Sequence, residues 1–224
     1  MVRRSPPSLR RRRAVREPKR RFTIVCEGKN TEPDYFRALR AAVRNALVEL
    51  VIESAAGVPM TIARRSVDLA RQIGAARRQR RRLDSYEEND EVWAVFDRDQ
   101  HPKFDEAVGL CEAKRVRIAR SNPCFEVWLI LHETDFDRPD GRHAVQAHLQ
   151  SLCPEYDAAK GKRPDCVRLI GQVEDAERRA ERQLAAREAE GTPFGPPSTT
   201  VFKLTRAIRR AADLARGIVP RSAS

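Results

Sequence analysis

Two short apolar runs, each ending in carboxylate, constrain this chain most. Phe22-Thr23-Ile24-Val25-Cys26 runs into Glu27-Gly28, and Glu91-Val92-Trp93-Ala94-Val95-Phe96 runs into Asp97-Arg98-Asp99. Continuous β-branched and aromatic runs without polar alternation are the pattern of strands buried on both faces, as in parallel sheets. After the first run, Thr31-Glu32-Pro33 starts a helix, with Thr31 as N-cap and Pro33 in the first turn. Tyr35, Phe36, Leu39, Val43 and Leu47 then recur at helical spacing.

The same reading predicts strands over 47–54 and 116–120, and helices over 60–82 and 104–111. A further helix begins at Phe125 and carries Trp128, Leu129 and Leu131 on its apolar side. Strands alternating with helices imply an α/β fold, a parallel sheet of about four strands with right-handed crossovers and helices on its flanks. Residues 133–219 read as mostly helical: a long charged helix over 166–190, a Gly/Pro loop over 191–197 and a last helix over 199–216. The expected organisation is a disordered basic tail over 1–20, an α/β core over 21–132 and a helical region over 133–219 packed on the core.

Charge narrows the partners. Net charge is +12 and the sequence pI about 10.1. The first 21 residues hold ten Lys or Arg against one acid, Glu17. Such an excess suits a polyanion, because cationic side chains neutralise phosphates and release counterions. Arg77, Arg78, Arg80, Arg81 and Arg82 form a second cluster, which a solvated helix face would explain nearly as well. The five cysteines include no C-x-x-C pair, which argues against a disulfide framework or a zinc site. No apolar stretch is long enough to span a membrane, and no signal-peptide pattern opens the chain. The expected setting is therefore the reducing cytoplasm.

The chemistry sits at strand ends. In open α/β sheets, ligand sites gather beyond the carboxyl ends of the strands. Asp97 and Asp99 are two residues apart in extended chain and share a face. Hard oxygen donors gathered there suit Mg²⁺ or Mn²⁺, which would polarise a phosphoryl oxygen and lower the pKa of a bound water. Glu27 is either a third ligand or the group that moves the proton. Gly28 is expected to take a backbone conformation closed to other residues. Glu126, at the next helix start, is either a ligand or an acid favoured by the helix dipole. Asn122 is expected to cap that helix. Ser198-Thr199-Thr200 either caps the last helix or holds phosphate. Trp93 and Trp128 are expected in the core rather than as base-stacking platforms, and His132, six residues after Glu126 and off the face of its i+3 and i+4 neighbours, is expected outside the chemistry. Lys29, Arg98, His101 and Lys203 are the candidate phosphate contacts.

At these residues the chain resembles the Toprim domains, with Glu at one strand end and D-x-D at a later one. It resembles the RloB-like family more closely. The carrying residues are Ile24 to Gly28, Thr31-Glu32-Pro33 with Tyr35-Phe36, Val95 to Asp99, Ser121 to Trp128 with His132, and Pro197 to Val201. The resemblance implies a Toprim-like fold and a Mg²⁺-dependent nuclease, with Glu27 as the Toprim glutamate and Asp97 and Asp99 as the metal-binding pair. It also implies antiviral defence or abortive infection, DNA or RNA as substrate, a partner ATPase and a possible oligomer. The chain has no G-x-x-x-x-G-K of its own. Two other functions fit the same residues: a non-catalytic nucleic-acid-binding or regulatory subunit, and a docking module for the ATPase.

Overall fold

Apolar runs that cannot expose either face end up between two layers of helix, and here they build the centre of a mixed sheet. The computed structural model describes residues 20–43, 48–55, 57–79, 90–98, 101–157, 161 and 163–217. Asp99, Arg80 to Arg82, Leu47 and nearly all of the basic tail lie outside the described residues. The elements in order are β1 (Arg20–Cys26), α1 (Thr31–Val43), β2 (Val48–Ser54), α2 (Pro59–Gln79), β3 (Glu91–Asp97), α3 (Phe104–Ala113) and β4 (Arg117–Asn122). Then come α4 (Glu126–Glu133), α5 (Arg142–Leu152), α6 (Cys166–Ile170), α7 (Val173–Ala189), β5 (Ser198–Thr199) and α8 (Val201–Ala215).

The sheet order is β2-β1-β3-β4-β5. The first four strands pair in parallel, and β5 is antiparallel to β4. Right-handed crossovers dictate which face each helix covers. The chain moves one way from β1 to β2 and the opposite way from β2 to β3 and β3 to β4. Hence α1 covers one face, whereas α2 and α3 cover the other.

Strand alternation sorts the core in the same way. Phe22, Ile24, Trp93 and Val95 face the layer of α1, α4, α7 and α8. Val25, Val92, Ala94 and Phe96 face α2 and α3. Trp93 and Trp128 are core residues, at 3% and 0% exposure. His132 is buried as well, bonded to Tyr35 Oη at 3.1 Å and to the Trp128 carbonyl at 2.9 Å. All five cysteines are free and buried. Among the described residues, no helix is long and apolar enough to cross a membrane.

Three local expectations change. The helix expected over 166–190 is two helices, α6 and α7. Gly171 and Gln172 donate to the carbonyls of Arg168 and Leu169 at 3.1 and 2.9 Å, a tight turn where glycine's weak helix propensity breaks the run. The last helix begins at Val201 rather than Thr199, because Ser198 and Thr199 pair with Asn122 and Ser121 as a fifth strand. Asn122 does not cap α4: its Nδ2 donates to the Phe194 carbonyl at 2.8 Å, and Phe125 stands at the cap position.

Candidate metal centre

The strand order reverses between β1 and β3, so the chain leaves these neighbours towards opposite faces and opens a crevice at their carboxyl ends. Glu27 follows β1 and Asp97 closes β3, so the sequence puts both carboxylates at that crevice. The Glu27 amide donates to the Val95 carbonyl at 3.1 Å, extending the ladder one residue past β1. Its carboxylate turns back, and Oε2 accepts from the Asp97 amide at 3.1 Å. Asp97 follows Trp93 and Val95 on the face covered by α1 and α4. That face supplies two more acids, Glu32 from α1 and Glu126 from α4.

Glu27, Glu32, Asp97 and Glu126 line one cavity of about 450 Å³. Three of them are nearly sealed from solvent: Glu32 at 6%, Asp97 at 7% and Glu126 at 4% exposure. Each is held by named partners. Glu32 Oε1 accepts from the Gly28 amide at 3.1 Å. Glu126 Oε1 accepts from Tyr156 Oη at 2.7 Å and Gln146 Nε2 at 3.2 Å. Asp97 Oδ2 accepts from Arg142 Nη2 at 2.9 Å.

Burial among like charges disfavours ionisation. Burial, opposed by hydrogen bonds to backbone amides and reinforced by Glu126 and Glu27, pushes the Glu32 carboxyl up to about 7. Asp97 is raised well above the usual carboxylate range, by burial first and then by Glu32, Glu126 and Glu27, with Arg142 acting against them. Burial and the neighbouring Glu126 likewise push up the Cys124 thiol and the Tyr156 hydroxyl.

Gly28 serves this cavity by its lack of a side chain. A Cβ there would stand 1.9 Å from Glu32 Oε2. Its φ is not among the positive ones, so the expected special backbone conformation is corrected to a close approach of the Glu32 carboxylate.

The other sequence candidates scatter. Lys29 is exposed and lines the cavity. His101 Nε2 lies 3.7 Å from Glu27 Oε1. Arg98 points away, its guanidinium 5.8 Å from the Phe104 ring centroid. Lys203 lines a separate groove beside β4. Ser198, Thr199 and Thr200 are buried, with Thr199 Oγ1 bonded to Ser121 Oγ and Thr200 Oγ1 accepting from the Arg120 amide, both at 3.0 Å. Those hydroxyls brace β4 in this structure. Glu32, Arg142, Gln146 and Tyr156 stand outside the candidates that the sequence offers for this site. Only Glu32 left a signal, as an acid four residues after a glycine at a strand end.

The donors suit a hard divalent cation in kind, since all four are carboxylates and Gly28 leaves room for the Glu32 group to approach. Their present positions are not closed around one point. Among the described residues, no three His, Cys, Asp or Glu side chains form a metal-holding group, and the cation at Asp97 is Arg142.

A family model described as RloB-like protein matches residues 22–208, a span that holds all four acids and Arg142. The chain belongs to the RloB-like protein family. No curated protein and no solved structure matches it. The α/β architecture with its mostly parallel sheet fits the Toprim-like layout expected of the chain.

Proposed function

We propose that this RloB-like protein is a divalent-metal-dependent nuclease that cuts DNA or RNA, with its site in the crevice between β1 and β3. One observation carries the reading. Four carboxylates, from the end of β1 and from α1, β3 and α4, share a single cavity, and Glu32 and Asp97 resist ionisation there. Concentrated buried carboxylates are costly without a cation, and perturbed groups of this kind cluster at functional sites.

Asp97, Glu32 and Glu126 would hold Mg²⁺ or Mn²⁺, with Glu27 at the rim. The ion would supply Lewis-acid polarisation of a phosphoryl oxygen and a water made acidic by coordination. The protein's own groups divide the remaining work. Tyr156 and Gln146 fix the orientation of Glu126, and the Gly28 amide fixes Glu32. Glu27 Oε2 accepts from the Asp97 amide and Oε1 lies 3.7 Å from His101, and from this rim position the Glu27 carboxylate would take or give the proton at the scissile phosphate. Arg142 pairs with Asp97 and offsets part of the negative charge of the cavity. Lys29 at the rim meets phosphate.

Purified protein with Mg²⁺ or Mn²⁺ should nick supercoiled DNA or cleave structured RNA, and Asp97→Asn should abolish this while leaving the circular dichroism spectrum unchanged. Full activity in Asp97→Asn would remove the assignment. The family resemblance adds a role in antiviral defence inside the cell. Phage plating efficiency on cells carrying wild type against Asp97→Asn tests that part.

A further inference from the structure

Two grooves beside β4 carry charge opposite to that of the carboxylate cavity. The first, about 370 Å³, is lined by Arg117, Arg120 and Lys203 against one acid, Glu112. The second, about 440 Å³, is lined by Arg20, Arg77, Lys114 and Arg115 against Asp90 and Glu91. Arg117 lines both, so the two grooves adjoin.

Strand register gives the surface a direction. Arg117 sits opposite Trp93, and Arg120 sits opposite Phe96, one residue before Asp97. The basic surface therefore climbs β4 towards the sheet end that holds the carboxylates. Along the strand, Arg120 lies about 10 Å beyond Arg117, and both line the groove at the β4 edge. Arg98, directly after Asp97, is near enough for its charge to be felt at Arg120.

The cations of the grooves are held in place by their neighbours. Arg20 and Arg117 pair with Glu91, Arg117 through Nε at 3.1 Å, and Arg77 lies 3.9 Å from Asp90. Arg120 lies over the Phe194 ring, 3.2 Å from its centroid, and Arg117 lies 5.6 Å from the Trp93 centroid. Aromatic faces hold each guanidinium in place before any ligand arrives.

We propose that the β4 grooves, from Arg20 and Arg77 through Arg117 to Arg120 and Lys203, form a track for the sugar–phosphate backbone of nucleic acid leading to the carboxylate end of the sheet. The track rests on the reading of the carboxylate cavity as a nuclease site, and names where its substrate lies.

Fluorescence anisotropy of the full chain in EDTA tests it, with labelled single-stranded DNA, duplex DNA and single-stranded RNA as separate probes. Lys114→Ala, Arg120→Ala and Lys203→Ala should each weaken binding of the preferred probe about threefold to tenfold, and each should flatten the slope of log K against log salt by about one. Lys203→Arg should restore both. A folded triple alanine variant that binds every probe with wild-type Kd and slope would overturn the track, as would a wild type that binds none at low salt. Failure of the nuclease reading shows in a different assay, as Mg²⁺-supported cleavage that survives Asp97→Asn.

Discussion

Replacing Glu32 by Gln should stabilise the metal-free protein at alkaline pH. The Glu32 carboxyl titrates near 7 in the fold, against a reference of 4.5. The folded state thus binds its proton more tightly than the unfolded chain does. Between pH 4.5 and 7 stability falls as pH rises, because the unfolded state has already released a proton that the fold retains. Above pH 7 the full penalty is present, and below 4.5 it is absent. That rise in pKa converts to about 3 kcal/mol, and with the residue 6% exposed solvent screening removes little of it. Gln keeps the shape and an oxygen for the Gly28 amide but carries no charge. In EDTA at pH 8, Glu32→Gln should raise the urea-unfolding free energy by about 3 kcal/mol, or Tm by roughly 6–12 °C. The gain should vanish at pH 4.5. Saturating Mn²⁺ should reverse the order, stabilising wild type more than the variant. A variant less stable than wild type at pH 8 in EDTA, or equally improved at both pH values, refutes the account of a charge-strained cavity.

Other consequences follow from single contacts. Gly28→Ala drives a methyl into the Glu32 carboxylate, so Mn²⁺ affinity by calorimetry should fall about tenfold. Arg142→Gln takes the cation from Asp97 and should cost about 1–3 kcal/mol in EDTA at pH 8, a loss that Mn²⁺ restores. An Arg142→Gln protein that Mn²⁺ fails to rescue would contradict the shared role of the two cations. His132, held at about 4 by burial, should stay neutral in imidazole NMR spectra down to that pH. Its folded pKa lies below the unfolded 6.5, so it withdraws about 3 kcal/mol of stability as pH falls from 6.5 to 4. A His132 midpoint near 6.5 in the folded protein would contradict this.

What the sequence made legible was local. Phe22 to Cys26 and Glu91 to Phe96 announce buried strands by composition alone, and a buried parallel strand carries its next residue to the sheet's carboxyl end. Glu27 and Asp97 were therefore readable from spacing. Glu32 leaves only the weak signal of an acid four residues after Gly28, because its approach to the strand end depends on Gly28 lacking a side chain. Arg142 reaches the cavity from α5 and Tyr156 reaches Glu126 from the segment after it, and no periodicity encodes which long-range neighbour an exposed-looking Arg will meet. The strand at Ser198–Thr199 was hidden for a related reason. Two residues carry no alternation, and their pairing depends on β4 offering an edge. Asn122 and Gly171 both followed good local rules, and tertiary packing or a competing turn prevailed.

If Asp97 and its neighbouring glutamates hold one divalent ion, anomalous diffraction at the manganese edge from crystals soaked in Mn²⁺ should reveal it. A peak should lie within ~2.0–2.6 Å of an Asp97 oxygen and of at least one of Glu32, Glu126 and Glu27, with the Arg142 guanidinium moved off Asp97. A cavity without a peak at saturating Mn²⁺, with Arg142 still on Asp97, would contradict a shared ion.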